Sequence, residues 1–196
     1  FLSDIEKVVQ HTYEKVSGSI KLDPVDIVVA ADPLNVIPEV GLGGYAPNKN
    51  LLYIYTDPAR ENFTEIIEKE LRRTLSHELH HCARWATVGY GETLLEALVS
   101  EGLAEHFDIE INKVEPTPWA LALNTEQIEK MLVLSRNSFA DKKYNHSAWF
   151  FGSDKENIPR WTGYSLGYHI VDEYLKNHPE ESASSLYNTK AELLVT

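Results

Sequence analysis

Residues 77–81 read His77-Glu78-Leu79-His80-His81. On a helix the first and last of these fall one turn apart, so two imidazoles share a face with Glu78 beside them. Two imidazole nitrogens can take two corners of a tetrahedral metal. A third ligand from elsewhere leaves the last corner for water, and Glu78 is placed to take that water's proton. This is the spacing of a catalytic zinc helix, and the rest of the chain is read outward from it.

Upstream, steps of three and four from Phe63 pass Ile67, Thr74, Glu78, His81 and Trp85, so the motif continues a stripe that begins apolar. The inward face of the helix therefore turns ionisable. Burying such groups unpaired costs on the order of several kcal/mol each, and one metal compensates two histidines at once. Asn62 with Glu65 predicts a capping box at the start of this helix, and Gly89 and Gly91 end it.

The third ligand is expected on a helix packed against the first, predicted from about Glu92 to Phe107. Its segment Ser100-Glu101-Gly102-Leu103-Ala104-Glu105-His106 is the best placed, with Gly102 and Ala104 allowing close helix approach. Glu101 is the first choice, and the helical wheel leaves His106 and Glu96 open. Glu105 falls between Leu94 and Leu98 on that wheel, a poor place for an unpartnered carboxylate. It suits a hydrogen bond to the outer nitrogen of a ligand histidine, fixing its tautomer.

Elsewhere, Leu2 to Val16 repeats at helical spacing until Ser17-Gly18-Ser19. Val25–Ala31 and Leu51–Thr56 are short strands ended by Asp-Pro. Between them, the glycine-rich stretch from Gly41 to Pro47 is expected as a loop or as an edge that another backbone approaches. Asn124 with Gln127 caps a helix running to about Phe139, residues 141–159 are loop-like and aromatic, and a last helix covers Gly163–Asn177. Among these aromatics Arg160 and Trp161 could line a cleft. Cys82 is expected to face Leu71 and Leu75 as a small buried hydrophobe, and His80, His11, His146 and His178 are expected at the surface or in local hydrogen bonds.

With 196 residues and 43% apolar content, one domain spanning 1–196 is expected. The net charge of -12 opposes binding to nucleic acid or anionic membranes and favours a dication. No apolar run is long enough for a transmembrane segment. The single cysteine excludes an intrachain disulfide and fits a reducing, cytoplasmic setting. The chain opens on Phe1, as a processed, trimmed or partial product would, which leaves export after signal removal open. Oligomeric state is not specified.

The motifs together resemble the gluzincin metallopeptidases, in which HExxH on one helix is followed by a glutamate ligand on the next. More closely, His77-Glu78-Leu79-His80-His81 with Arg84, then Glu101-Gly102-Leu103-Ala104, then Gly163-Tyr164-Ser165-Leu166-Gly167-Tyr168, resemble a bacterial family of predicted zinc-dependent proteases. That resemblance implies an α+β zincin-like fold, with a small mixed or antiparallel sheet on the active-site helix and a mostly helical C-terminal lobe. It also implies one Zn2+ held by His77, His81 and Glu101, Glu78 as general base, and Glu105 where relatives carry an acidic residue behind a ligand. Tyr164, with Tyr168 and His169 as alternatives, would donate to the oxyanion. The substrate would be a peptide or protein, paired along an edge strand at Gly43–Ala46 or Leu51–Tyr55. The rival readings are a zinc-holding interaction module without turnover, closed by His106 or Cys82 as a fourth ligand, and a metal-free helical protein.

Overall fold

The computed structural model describes residues 2–195. It is an α+β fold built, in order, from α1 (Leu2–Ser17), β1 (Asp26–Ala31), β2 (Leu42–Asn48), β3 (Leu51–Thr56), α2 (Phe63–Trp85), α3 (Leu94–Asn112), α4 (Thr125–Arg136), α5 (His146–Phe151) and α6 (Thr162–Asn177), closed by a 3-10 turn at Ala191–Leu193. Among the described residues no helix is long and apolar enough to cross a membrane.

The sheet has the order β1-β3-β2. β1 runs parallel to β3 from Asp26↔Leu51 to Ala31↔Thr56, while β2 is antiparallel to β3, with a bulge between Tyr45 and Asn48. Period-2 alternation buries Leu52, Ile54 and Thr56 of β3 and leaves Leu51, Tyr53 and Tyr55 half-buried. The glycine-rich segment is therefore an edge strand. Backbone approach explains its composition, because a Cβ on Gly43 would collide with the Asn35 carbonyl and one on Gly44 with the Glu78 side chain. The expected edge at Leu51–Tyr55 is corrected: β3 is central, and both its sides are already paired.

Two hydrophobic cores flank the motif helix and its neighbour. One joins α1, the sheet and α2 through Val16, Leu52, Ile54, Leu71, Leu75, Leu79 and Cys82, and reaches Phe107 and Ile111 of α3. The other gathers the first half of α3 with α4, α5, α6 and the C-terminal segment, around Leu98, Leu103, Met131, Phe150, Leu166 and Val171. α3 is shared by both, and is buried along nearly its whole length.

Several local expectations change. Asn62 starts α2 without a side-chain cap, since its backbone is not extended and Glu65 instead pairs with Lys69 at 2.5 Å. α3 runs beyond Phe107 to Asn112, and its capping box is Thr93 with Glu96: the Glu96 carboxylate accepts the amides of Glu92 and Thr93 at 2.8 and 2.9 Å. Glu96 is thereby spent on the cap and unavailable as a ligand. The loop after Asp141 contains the short α5, capped by Asn145. His80 is fully buried rather than at the surface, packed 5.1 Å from the Phe107 ring. Neither of its ring nitrogens has a hydrogen-bond partner among the described residues.

α3 crosses α6 in close backbone contact. A Cβ on Gly102 would meet the Gly167 carbonyl at under 3.0 Å, and one on Gly167 the Leu98 carbonyl likewise. Gly102 thus permits approach to α6, which turns its neighbour Glu101 toward α2.

Two outcomes are expected. Gly102→Ala overpacks this crossing and should cost about 1–3 kcal/mol, seen as a lower urea midpoint at unchanged m value. Burial holds the His80 ring well below 6.5, so the neutral ring is the folded form. Its contribution is complete above pH 6.5 and is lost as pH falls below that value. His80→Leu should flatten the acid-side loss of stability in urea melts of metal-free protein between pH 7 and 5.

Candidate metal centre

α2 presents His77, Glu78 and His81 to one cleft, with ligand-capable atoms of all three within 4.8 Å of one another. The two rings meet edge-on with centroids 4.7 Å apart. From α3, Glu101 reaches both: Oε2 lies 3.0 Å from His77 Nε2, and Oε1 lies 3.4 Å from His81 Nε2. Ligand atoms about 2.0–2.1 Å from a tetrahedral zinc lie roughly 3.3 Å apart, a spacing that the two Glu101–histidine separations match. Glu78 belongs to the same cluster from the β2 side, where Gly44 leaves it room.

The two carboxylates sit in different fields. Burial raises the Glu78 carboxyl above its ordinary 4.5, with His81, His77 and the Ala46 backbone pulling partly back. Burial acts on Glu101 too, yet the two imidazoles outweigh it and hold this carboxyl well below 4.5. For His77, burial opposes the charge, but the hydrogen bond and charge of Glu101 prevail and raise it to about 9.

The cleft is about 420 Å³. Its floor is α2 and its near wall is Ile37, Val40 and β2. The far wall comes from the C-terminal lobe: Trp119, His146, Phe151 and Tyr164. Arg160 and Trp161 are not among the residues that line this cleft; the Arg160 guanidinium donates to Glu39 at 2.7 and 3.3 Å and lies 4.1 Å over the Trp161 ring. Of the three proposed oxyanion donors only Tyr164 lines the cleft. Its ring is wedged between Phe150 and Trp161, and its hydroxyl has no hydrogen-bond partner among the described residues. Burial first, and then the Glu101 charge, raise this phenol well above 10, so it stays protonated. Tyr168 instead stacks on His106 at 4.5 Å, and the His106 ring bonds the Tyr168 carbonyl at 3.1 Å. His106 therefore points into the α3–α6 contact, away from His77 and His81.

Glu105 lines the cleft, and its carboxylate accepts the Thr117 amide at 2.6 Å; it makes no hydrogen bond to a histidine. His81 Nδ1 is buried without a partner. Cys82 lies in the first core with its thiol pushed up to about 12 by burial, a poor thiolate donor. Tyr90 and Trp119 line the cleft without any signal in the motif, and His146, exposed and bonded to Tyr144 as expected, stands at its edge. Tyr90 stands one residue before Gly91 in a turn that reads as a mere helix stop.

Residues 5–196 match the family described as "Predicted Zn-dependent protease (DUF2268)". The chain belongs to this family. Two curated relatives come from Bacillus subtilis (strain 168): the uncharacterized protein YjfC is 24% identical over 161 residues, covering 76% of this chain and 52% of that protein. The uncharacterized protein YjaZ is 27% identical over 119 residues, covering 57% of this chain and 45% of that protein. The chain thus spans about half the length of these relatives. No solved structure gives a significant match.

Proposed function

We propose that the chain is a zinc peptidase in which His77, His81 and Glu101 hold one ion, Glu78 is the general base and Tyr164 stabilises the oxyanion. One observation carries this: the Glu101 carboxylate lies 3.0 and 3.4 Å from the two imidazole nitrogens on the floor of a cleft, with the Glu78 carboxylate alongside. Family membership supports zinc and peptide substrates in the same direction. The expected closing ligands His106 and Cys82 both face elsewhere, which favours a site open to substrate over a purely structural one.

Zinc in this cluster supplies a Lewis acid that acidifies water and polarises a peptide carbonyl. Glu101, held ionised, serves best as a ligand, whereas Glu78 with its raised affinity for protons serves best as a base. Glu78 takes a proton from the attacking water as its oxygen bonds to the carbonyl carbon. The same carboxyl then delivers that proton to the amine as the C–N bond breaks. The Tyr164 hydroxyl donates to the negative oxygen that develops in between.

A peptide is expected to lie along β2. The Leu42 carbonyl turns away from β3 to accept the Ile37 amide at 2.9 Å. Two residues on, Gly44 presents its amide and carbonyl to the same free side, directly over Glu78.

Glu78→Gln should keep one zinc per chain while lowering peptide cleavage by at least about 10²–10⁴-fold, read from a peptide library by mass spectrometry. Hydrolysis at the wild-type rate would sink the mechanism. Since His77 carries a proton up to about pH 9 in the metal-free protein, zinc must displace it. Calorimetry in buffers of differing ionisation enthalpy should show about one proton released per zinc at pH 7, with affinity rising roughly tenfold per pH unit until near pH 9.

A further inference from the structure

Tyr90 lies between α2 and α3 and is gripped at three points. Its ring meets His81 edge-on at 5.0 Å and stacks on Trp85 at 6.0 Å. Its carbonyl accepts the Ser100 hydroxyl, and Ser100 Oγ in turn accepts Arg84 Nε at 2.9 Å. Arg84 is 1% exposed and is anchored further by the carbonyls of Tyr187 and Thr189, each at 3.2 Å. The phenol therefore has little freedom. Its hydroxyl donates to Glu101 Oε1.

The geometry points to Tyr90 as the residue that positions Glu101 for metal binding, occupying Oε1 so that Oε2 is the oxygen offered to the ion. The inference rests on the zinc reading above and adds to it a determinant of ligand geometry. A carboxylate with both oxygens free can rotate about its terminal bond and bind through either or both. Donation from a fixed phenol removes that choice and draws density from one oxygen only. Arg84 and Ser100 act one step further back, since they set where the phenol stands. The arrangement also gives a use to a buried guanidinium with no ion pair among the described residues: one of its hydrogen bonds goes to Ser100, which holds the Tyr90 carbonyl.

The test is Tyr90→Phe, which keeps the ring and its contacts with His81 and Trp85. Zinc affinity is measured at pH 7 by competition with a chromophoric chelator, and the cobalt-loaded protein is examined by visible absorption. Tyr90→Phe should bind zinc roughly 10–100-fold more weakly than wild type. Its cobalt bands should also weaken and shift, as expected when coordination expands beyond four. Melting of the metal-free protein is followed in parallel, because a packing role alone would move that readout and leave the cobalt spectrum unchanged. Zinc affinity within twofold of wild type and an identical cobalt spectrum would overturn the assignment. Should Tyr90→Phe fail to fold, Ser100→Ala, which frees the Tyr90 carbonyl, carries the same two measurements with the same decision. Wild type that takes up no zinc, as His77→Ala is expected to behave, would instead remove the zinc reading and this inference with it.

Discussion

Burial of the Glu101 carboxylate between His77 and His81 is the interaction around which the rest is arranged. Taking a carboxylate and an imidazolium out of water costs several kcal/mol per ion, and only close, hydrogen-bonded opposite charge or a metal repays it. That requirement fixes the distance between α2 and α3. On α3 it places residue 101 toward the ionisable face of α2, and the next residue, about 100° further round, toward α6. There only glycine permits the backbone contact that Gly102 makes with Gly167. One helix is thus committed on two sides by adjacent residues.

The same arrangement pushes two chemically identical side chains in opposite directions. Glu101 is surrounded by groups that favour its charge, and Glu78 is governed by burial, so one carboxylate is kept ionised and the other is ready to hold a proton. Gly44 completes the division. Any side chain there would intrude on the Glu78 carboxylate, so an edge strand can run close over that carboxylate only through a residue without a Cβ.

The cleft is a product of both lobes. β2 and α2 bring the charged floor, and the aromatic far wall belongs to the C-terminal core, where Tyr164 is wedged among rings that leave its hydroxyl free. The Glu39–Arg160 pair, which joins the two halves of the chain, is half-exposed and screened, so it contributes little to stability despite its bidentate geometry.

Much of this was legible in residue order alone. Helical spacing gave α1, α2, α4 and α6, β-branched and aromatic runs gave β1 and β3, and His77, Glu78 and His81 announced themselves because one helical turn places them together whatever surrounds them. These are local properties, set by a 3.6-residue period and by capping chemistry at Asn124 and Gln127. Interactions between distant segments were decided only by the fold. Glycines at 41–44 read equally well as a turn until Asn35 and Glu78 were seen pressing on them. Asn62 looked like a cap until its backbone conformation ruled that out. His80 is amphipathic by composition, and nothing in its neighbours announced that Phe107, far along the chain, would enclose it. Tyr90, Glu101 and Tyr164 belong to three segments with no common period. Their convergence depends on helix crossings that the sequence permits through small residues but does not by itself direct.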